Sequence, residues 1–380
     1  MKIGIMTYWW ANDNYGQLLQ CYALQQYLRD KGHEPFLIRY NWRTDLNKAP
    51  VWSRLYKLFN PICVYKYLKR KIIKTKVIVN KIIVDREFDA FRSKYITQSS
   101  ERYDSYSTLF NNPPDADAYI VGSDQVWNFF GNDFYVIRNA IHAYMLDFGD
   151  KDIKKIAYAA SWSVYSVPNK FKKEIYPLLR NFNYVSVREK NGIELCKDCG
   201  RNDAELVCDP TLLLDSNTYR KLYKENTIRK ISDKYLLLYL LGNDCDFDLS
   251  YIQQFAISKG LKLVYIPGSG ANIECEKYDA TIYEWLYLFD NAEYIITNSF
   301  HGCVFSYIFK KQFGVFRLNG RFEGMNTRLI TLFEELRISD RFISKYDFSI
   351  LDKPYEINNS SFNGGENMLK ILNETIEVNQ

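Results

Sequence analysis

Histidine is scarce in this sequence: three occur in 380 residues, at positions 33, 142 and 301. That leaves little for a histidine-rich metal centre. No H-E-x-x-H, G-x-S-x-G or Walker A sequence occurs, and Asn14-Tyr15-Gly16 lacks the G-x-G-x-x-G spacing of a dinucleotide site. No apolar run approaches the roughly 18 charge-free residues of a membrane helix. The first residues carry no charged, long-apolar and small-residue succession, so a secretory signal is not expected. The eight cysteines, at 21, 63, 196, 199, 208, 245, 275 and 303, are therefore expected as reduced thiols in the cytoplasm. Cys196 and Cys199 form a lone C-x-x-C with no second pair to complete a zinc site, and the pair follows a predicted helix instead of starting one. No metal is expected. An excess of one charge sign is also missing: 50 basic residues face 45 acidic ones for a net +5. This balance, without a zinc-finger or RNP signature, argues against nucleic acid as a partner.

What the sequence does have is apolar and aromatic material, with 47% hydrophobic residues, 31 Tyr, 24 Phe and 7 Trp. At about 150 residues per domain, two domains are expected. Short apolar runs at 2–9, 35–40, 118–122, 155–161 and 184–188 alternate with helical periods, the α/β signature. Leu18, Cys21, Leu24 and Leu28 fall on one helical face between the first two runs, and Gly32 caps that helix, giving a right-handed βαβ unit. After 206–210 the pattern restarts, with runs at 235–241, 261–267, 294–297 and 313–318. The polar stretch at 215–230 is a plausible junction. The expected architecture is two doubly wound, Rossmann-like domains facing a cleft, with residues 1–215 in the first and 216–380, including C-terminal helices, in the second. Ligands in such sheets sit at the carboxyl ends of the strands.

One stretch breaks the pattern. Residues 51–84 hold nine Lys and Arg, no acid until Asp85, and many Ile, Val, Tyr and Leu. A basic, aromatic-bearing helical excursion at 51–100 reads as a membrane-surface element or as a helix with a solvated basic face.

Three places put chemistry at predicted strand ends. His301, in Ser299-Phe300-His301-Gly302, sits where a strand turns into an apolar helix; a helix N-terminus attracts anions, and imidazole there can hold phosphate or move a proton. The competing reading is a hydrogen-bonded core histidine. Ser123, Asp124, Gln125 and Asn128 cluster after 118–122, suiting a hydroxyl-rich ligand or, more simply, an Asx-turn and helix cap. Arg188, after 184–187, can pair bidentately with a carboxylate or phosphate, or with its neighbour Glu189; Arg321 and Arg328 stand likewise beyond a late strand.

Taken together, NYGQLLQCYALQ at 14–25, VGSDQVWN at 121–128, VSVRE at 185–189, CDPTLLL at 208–214 and TNSFHGCVFSYIFKKQFGVF at 297–316 resemble the polysaccharide pyruvyl transferase family, in the right order and over most of the chain. The resemblance implies a fold like that of the GT-B glycosyltransferases. It also implies phosphoenolpyruvate as donor, its pyruvyl group joined as a cyclic ketal to two sugar hydroxyls, with no cofactor and no metal. On this reading His301 is the general acid/base and Asp124 a second base. Arg188, Arg328, Ser299, Gly302 and Arg321 hold the donor, while Asn14, Tyr15, Gln20, Ser123, Gln125 and Asn128 line the acceptor side. Some members of the family have Arg-Leu-His-Gly where this chain has Ser299-Phe300-His301-Gly302. The missing arginine is then replaced by Arg188, Arg321 or Arg328, or the donor is held differently. A sugar on a lipid-pyrophosphate carrier at the inner membrane face is the expected acceptor, with 51–84 touching the membrane. The alternatives are a sugar-nucleotide glycosyltransferase of the same fold and a non-catalytic glycan-binding component of the biosynthetic complex.

Overall fold

Strand-forming apolar runs and the helices between them build two parallel sheets. The computed structural model describes residues 1–47, 85–129, 134–242, 244–268, 270–271, 273–338, 340–356 and 364–374. The basic stretch 51–84, expected at a membrane surface, lies outside the described residues. Among those described, no helix is long and apolar enough to cross a membrane.

The first sheet contains β1 (Lys2–Met6), β2 (Glu34–Tyr40), β3 (Gln98–Tyr103), β4 (Ala118–Val121), β5 (Lys154–Ala160), β6 (Tyr184–Val187) and β7 (Glu205–Leu206). Their order is β3-β2-β1-β4-β5-β6-β7, every neighbouring pair parallel. The second contains β8 (Tyr235–Leu240), β9 (Lys262–Pro267), β10 (Tyr294–Thr297), β11 (Gln312–Phe316) and β12 (Phe342–Ile343), in the order β12-β11-β10-β8-β9, again all parallel. Central strands such as β8, YLLLYL, are buried along their whole length because helices cover both faces. In each sheet the strand order reverses once, between β1 and β4 and between β8 and β10. In sheets of this kind ligands bind beyond the carboxyl ends, at such switch points.

The two halves share a continuous apolar cluster running from Ile3 and Leu24 to Trp285 and Phe305. At its centre Tyr15 stacks on Trp285 (5.4 Å, 13°) and gives its hydroxyl hydrogen to the Ala280 carbonyl at 2.6 Å. Arg86 adds a second tie, donating to the Pro267 carbonyl at 2.8 Å and to Asp279 at 2.5 Å.

The chain's last described helix departs from expectation. Residues Glu366–Asn373, expected with the second domain, pack on the first, where Met368 and Leu372 are buried. The cause is local: the Lys154 ammonium, at the start of β5, donates to the carbonyls of Ile371 (2.8 Å), Leu372 (2.9 Å) and Glu374, the acceptors that a helix end leaves unsatisfied. Tyr27 and Glu205, also of the first domain, bond Gly364 and Asn367.

Candidate functional site

The switch point of the first sheet is fastened by short polar side chains. Thr7, just past β1, donates to the Ser123 carbonyl at 3.0 Å, and Gln20 bridges the Thr7 hydroxyl (2.9 Å) and the Ser123 amide (3.1 Å). Gln20 is fully buried, so it shapes the 122–124 turn and does not face the cleft. Asp124 adopts φ +72° there, a left-handed conformation that Asp tolerates better than most residues. Its carboxylate is turned toward Arg188, at 3.7 Å from Nη2.

Arg188 leaves the end of β6, 98% buried, and its Nη1 donates to Asp209 at 2.7 Å. Asp209 was not singled out from the sequence as a site residue, yet it is the hub. Its Oδ2 also accepts from the Ser123 hydroxyl (2.8 Å), and its Oδ1 accepts from the Thr211 amide (3.1 Å) and hydroxyl (2.7 Å). His301 Nε2 stands 3.7 Å from Oδ2, a charge contact and not a hydrogen bond. Burial would raise this carboxyl, but His301, Arg188 and the Thr211 hydroxyl outweigh it and hold it far below the usual carboxylate range. Asp209 is therefore an anion at any physiological pH. Its signal in the sequence was Asp-Pro-Thr, a cap for the short turn Pro210–Leu213.

From the second sheet, β10 delivers Asn298 and Ser299. Asn298 clasps both the amide (2.7 Å) and carbonyl (2.8 Å) of Leu241, pinning β10 to β8 across the switch point. Ser299 caps the helix Phe300–Ile308 by accepting from the Gly302 amide. A Cβ on Gly302 would lie 2.5 Å from Thr297 Oγ1, so glycine lets the helix start this close to the strand. Gly16 does the same across the cleft: a Cβ there would lie 2.2 Å from His301 Nδ1. The imidazole therefore rests directly on the first helix of the other domain.

Arg328 completes the arrangement. Its guanidinium lies 5.5 Å from the Phe300 ring centre and that of Arg188 4.5 Å, so one aromatic ring serves both cations. Burial and then the like charge of Arg188 lower Arg328 to about 10. Arg188 Nε and Nη2, and His301 Nε2, are buried without a hydrogen-bond partner. The Arg188 guanidinium and the His301 imidazole, with buried donors unused, and Arg328 beside them form, at a helix N-terminus, a cradle in need of an anion.

The remaining expected residues divide. Gln125 reaches across to the Met325 sulfur at 3.8 Å, and Asn128 borders a small void beside Tyr8. Asn14 caps the first helix by accepting from the Gln17 amide at 3.2 Å. Tyr15 is fully buried in the aromatic stack between the halves, which leaves it a fastening role. Arg321 belongs to the turn Gly320–Met325, but its side chain lies outside the described residues. Cys196 and Cys199 are buried, which pushes their thiols up to about 12 and about 11, away from nucleophilic chemistry. Among the described residues no group of three or more His, Cys, Asp or Glu is placed to hold a metal ion.

A family model described as polysaccharide pyruvyl transferase matches residues 14–319 of the chain. No curated protein matches the sequence. Among solved structures, UDP-GlcNAc 2-epimerase of Methanocaldococcus jannaschii in complex with UDP-GlcNAc and UDP is similar with a TM-score of 0.51 and 13% identity, over 98% of this chain and 99% of that one. UDP-GlcNAc 2-epimerase of Neisseria meningitidis bound to UDP-GlcNAc gives 0.48 and 10%, over 98% and 99%. At 13% identity the first of these likenesses speaks of the fold alone, and that fold is GT-B.

Proposed function

Because the chain belongs to the polysaccharide pyruvyl transferase family, we propose that it moves the pyruvyl group of phosphoenolpyruvate onto two hydroxyls of one sugar, as a cyclic ketal, in cell-surface polysaccharide synthesis. The observation that carries this reading is the cradle: Arg188 Nε and Nη2 and His301 Nε2, buried and without a hydrogen-bond partner. Phosphoenolpyruvate has a carboxylate and a phosphate on one carbon, and planar guanidiniums take such oxyanions bidentately. Arg188 and Arg328 hold the donor, the helix start at Ser299–Gly302 faces its phosphate, and Asp209 holds Arg188 in place. No arginine precedes Phe300, so Arg188 and Arg328 supply the cationic charge.

One sugar hydroxyl adds to the carbon bearing the phosphate while the methylene carbon takes a proton and becomes methyl. The carbon–oxygen bond to phosphate breaks, and the second hydroxyl closes the ring. Of the two hydroxyl protons lost, one matches the proton gained by the methyl and the other leaves on phosphate. His301 delivers the proton to carbon, and Asp124 accepts one from the acceptor, whose side of the cleft is lined by Ser123, Gln125 and Asn128. The acceptor is a sugar on a carrier lipid, with the nine cations of 51–84 making the membrane contact.

Thermal unfolding with phosphoenolpyruvate tests the donor, because binding to the native state stabilises by about 2.7 kcal/mol at a hundredfold excess over Kd. The expected result is a shift that Arg328→Ala diminishes. His301→Gln should keep the shift but lose about a hundredfold or more in acceptor-dependent phosphate release. A shift with nucleotide sugars and none with phosphoenolpyruvate would reject the reading in favour of a glycosyltransferase.

A further inference from the structure

Resting on the pyruvyl-transfer reading, we infer that Trp10, Trp42 and Arg43 form an acceptor subsite for a pyranose that carries an oxyanion beside its reacting hydroxyls. β2, β1 and β4 are adjacent and parallel, so the chain leaving each of them emerges along one edge. Asp124 leaves β4, Trp10 follows β1, and Trp42 and Arg43 follow β2, which places all of them on the cleft side of the first sheet.

The loop after β1 is held firmly. Trp9 donates its indole hydrogen to the Tyr40 carbonyl at 2.9 Å, and Arg92 donates to the carbonyls of Trp9 (3.1 Å) and Ala11 (2.9 Å). Trp10 is thereby presented half-buried, 5.0 Å from the Tyr8 ring. The exposed Arg43 guanidinium lies 5.7 Å from the Trp10 ring centre and 5.9 Å from that of Trp42. Among the described residues, no carboxylate forms an ion pair with it. An aromatic-backed cation with no acid partner among the described residues suits an incoming oxyanion, and an indole face suits the C–H surface of a sugar ring.

A second observation points to the same ligand. Under this platform is a void of about 10 Å³, bordered by Tyr8, Trp42, Asn128 and Tyr144. Tyr144 is fully buried, and its hydroxyl and the Trp42 indole nitrogen have no hydrogen-bond partner. A void of this size takes about one water molecule, which would join those two donors to a sugar hydroxyl above.

Calorimetric titration of the full chain tests the subsite. The probes are glucose, galactose and N-acetylglucosamine, each neutral and as its 1-phosphate, together with glucuronate. At least one charged form should bind about tenfold tighter than its neutral parent. Arg43→Ala should erase that preference, Trp10→Ala should weaken charged and neutral forms alike, and Trp10→Phe should restore part of the loss. Preference for the 1-phosphates assigns the oxyanion to a glycosyl phosphate, and preference for glucuronate assigns it to an acidic sugar. Absence of any charged-over-neutral preference in the unaltered protein, or its survival in Arg43→Ala, overturns the subsite. Stabilisation by phosphoenolpyruvate, measured on the same variants, should persist; if the unaltered protein lacks it, the pyruvyl reading fails while the subsite stands or falls on its own titrations.

Discussion

Asp209 holds its ionised form with no access to water, and this determines how the site responds to acid. Its carboxyl sits below the unfolded value of about 4, so the stability it contributes is complete above about pH 4 and is lost as pH falls toward the folded value. Replacing it with asparagine removes the carboxylate hydrogen-bonded to the buried Arg188 guanidinium and leaves it only Asp124, at 3.7 Å, a change that costs about 3–5 kcal/mol. Asp209→Asn should thus unfold at lower urea near neutral pH, and its stability should decline less steeply than that of the unaltered protein below pH about 4. Parallel acid slopes would show that Asp209 is not the titrating group. The sequence exposes only the local half of this residue: Asp-Pro-Thr reads as a cap, and it is one. Its other partners lie 21 residues away in Arg188 and 86 in Ser123, and no local pattern announces them. Gly16 follows the same rule. It reads as a turn residue, whereas its lack of a side chain makes room for His301.

At the level of elements, apolar runs between helices are legible because a strand covered on both faces has no other composition open to it. β3 is not: QSSERY is polar, is an edge strand with a single neighbour, and owes its shape to pairing with β2. The helices Phe134–Tyr144 and Asn169–Leu179 show a further tertiary device. His142 has Asp147 at 2.6 Å from Nδ1 and Glu174 at 2.7 Å from Nε2, with Arg138 on Glu174 and Tyr106 on Asp147. Two carboxylates on opposite ring nitrogens require both nitrogens to donate, so the ring is held as imidazolium. The bond to Asp147 raises its pKa, burial opposes, and Glu174 adds to the rise. A raised histidine contributes stability that is fully present below about pH 6.5 and lost as pH climbs through the folded value. His142→Gln should remove that alkaline loss, together with about 1 kcal/mol of stability near pH 6, in urea melts across a pH series. An unchanged slope above pH about 6.5 would reject the clamp.

Over the whole molecule, the cradle exists only when both halves meet. Arg188, Ser123 and Asp209 come from the first sheet and its exit, whereas Phe300, His301 and Arg328 come from the second. The two-sheet architecture could be read from the alternation of runs, but the fit between the sheets could not, because it depends on side chains such as Tyr15. That residue looked like an acceptor contact in a polar, helix-starting motif, and the structure buries it between Phe88, Tyr239 and Trp285 with its hydroxyl on Ala280. Tyr15→Phe keeps the ring stack and deletes a single hydrogen bond between the halves, worth about 0.5–1.5 kcal/mol. If that bond aligns the cradle, the donor should bind about two- to tenfold more weakly, because it is gripped by Arg188 from one half and by Arg328 and the Ser299–Gly302 helix start from the other. Steady-state kinetics with each substrate varied in turn distinguishes the roles: a rise in KM for the donor marks Tyr15 as a fastener of the domains, whereas a rise for the acceptor alone would return it to the acceptor wall.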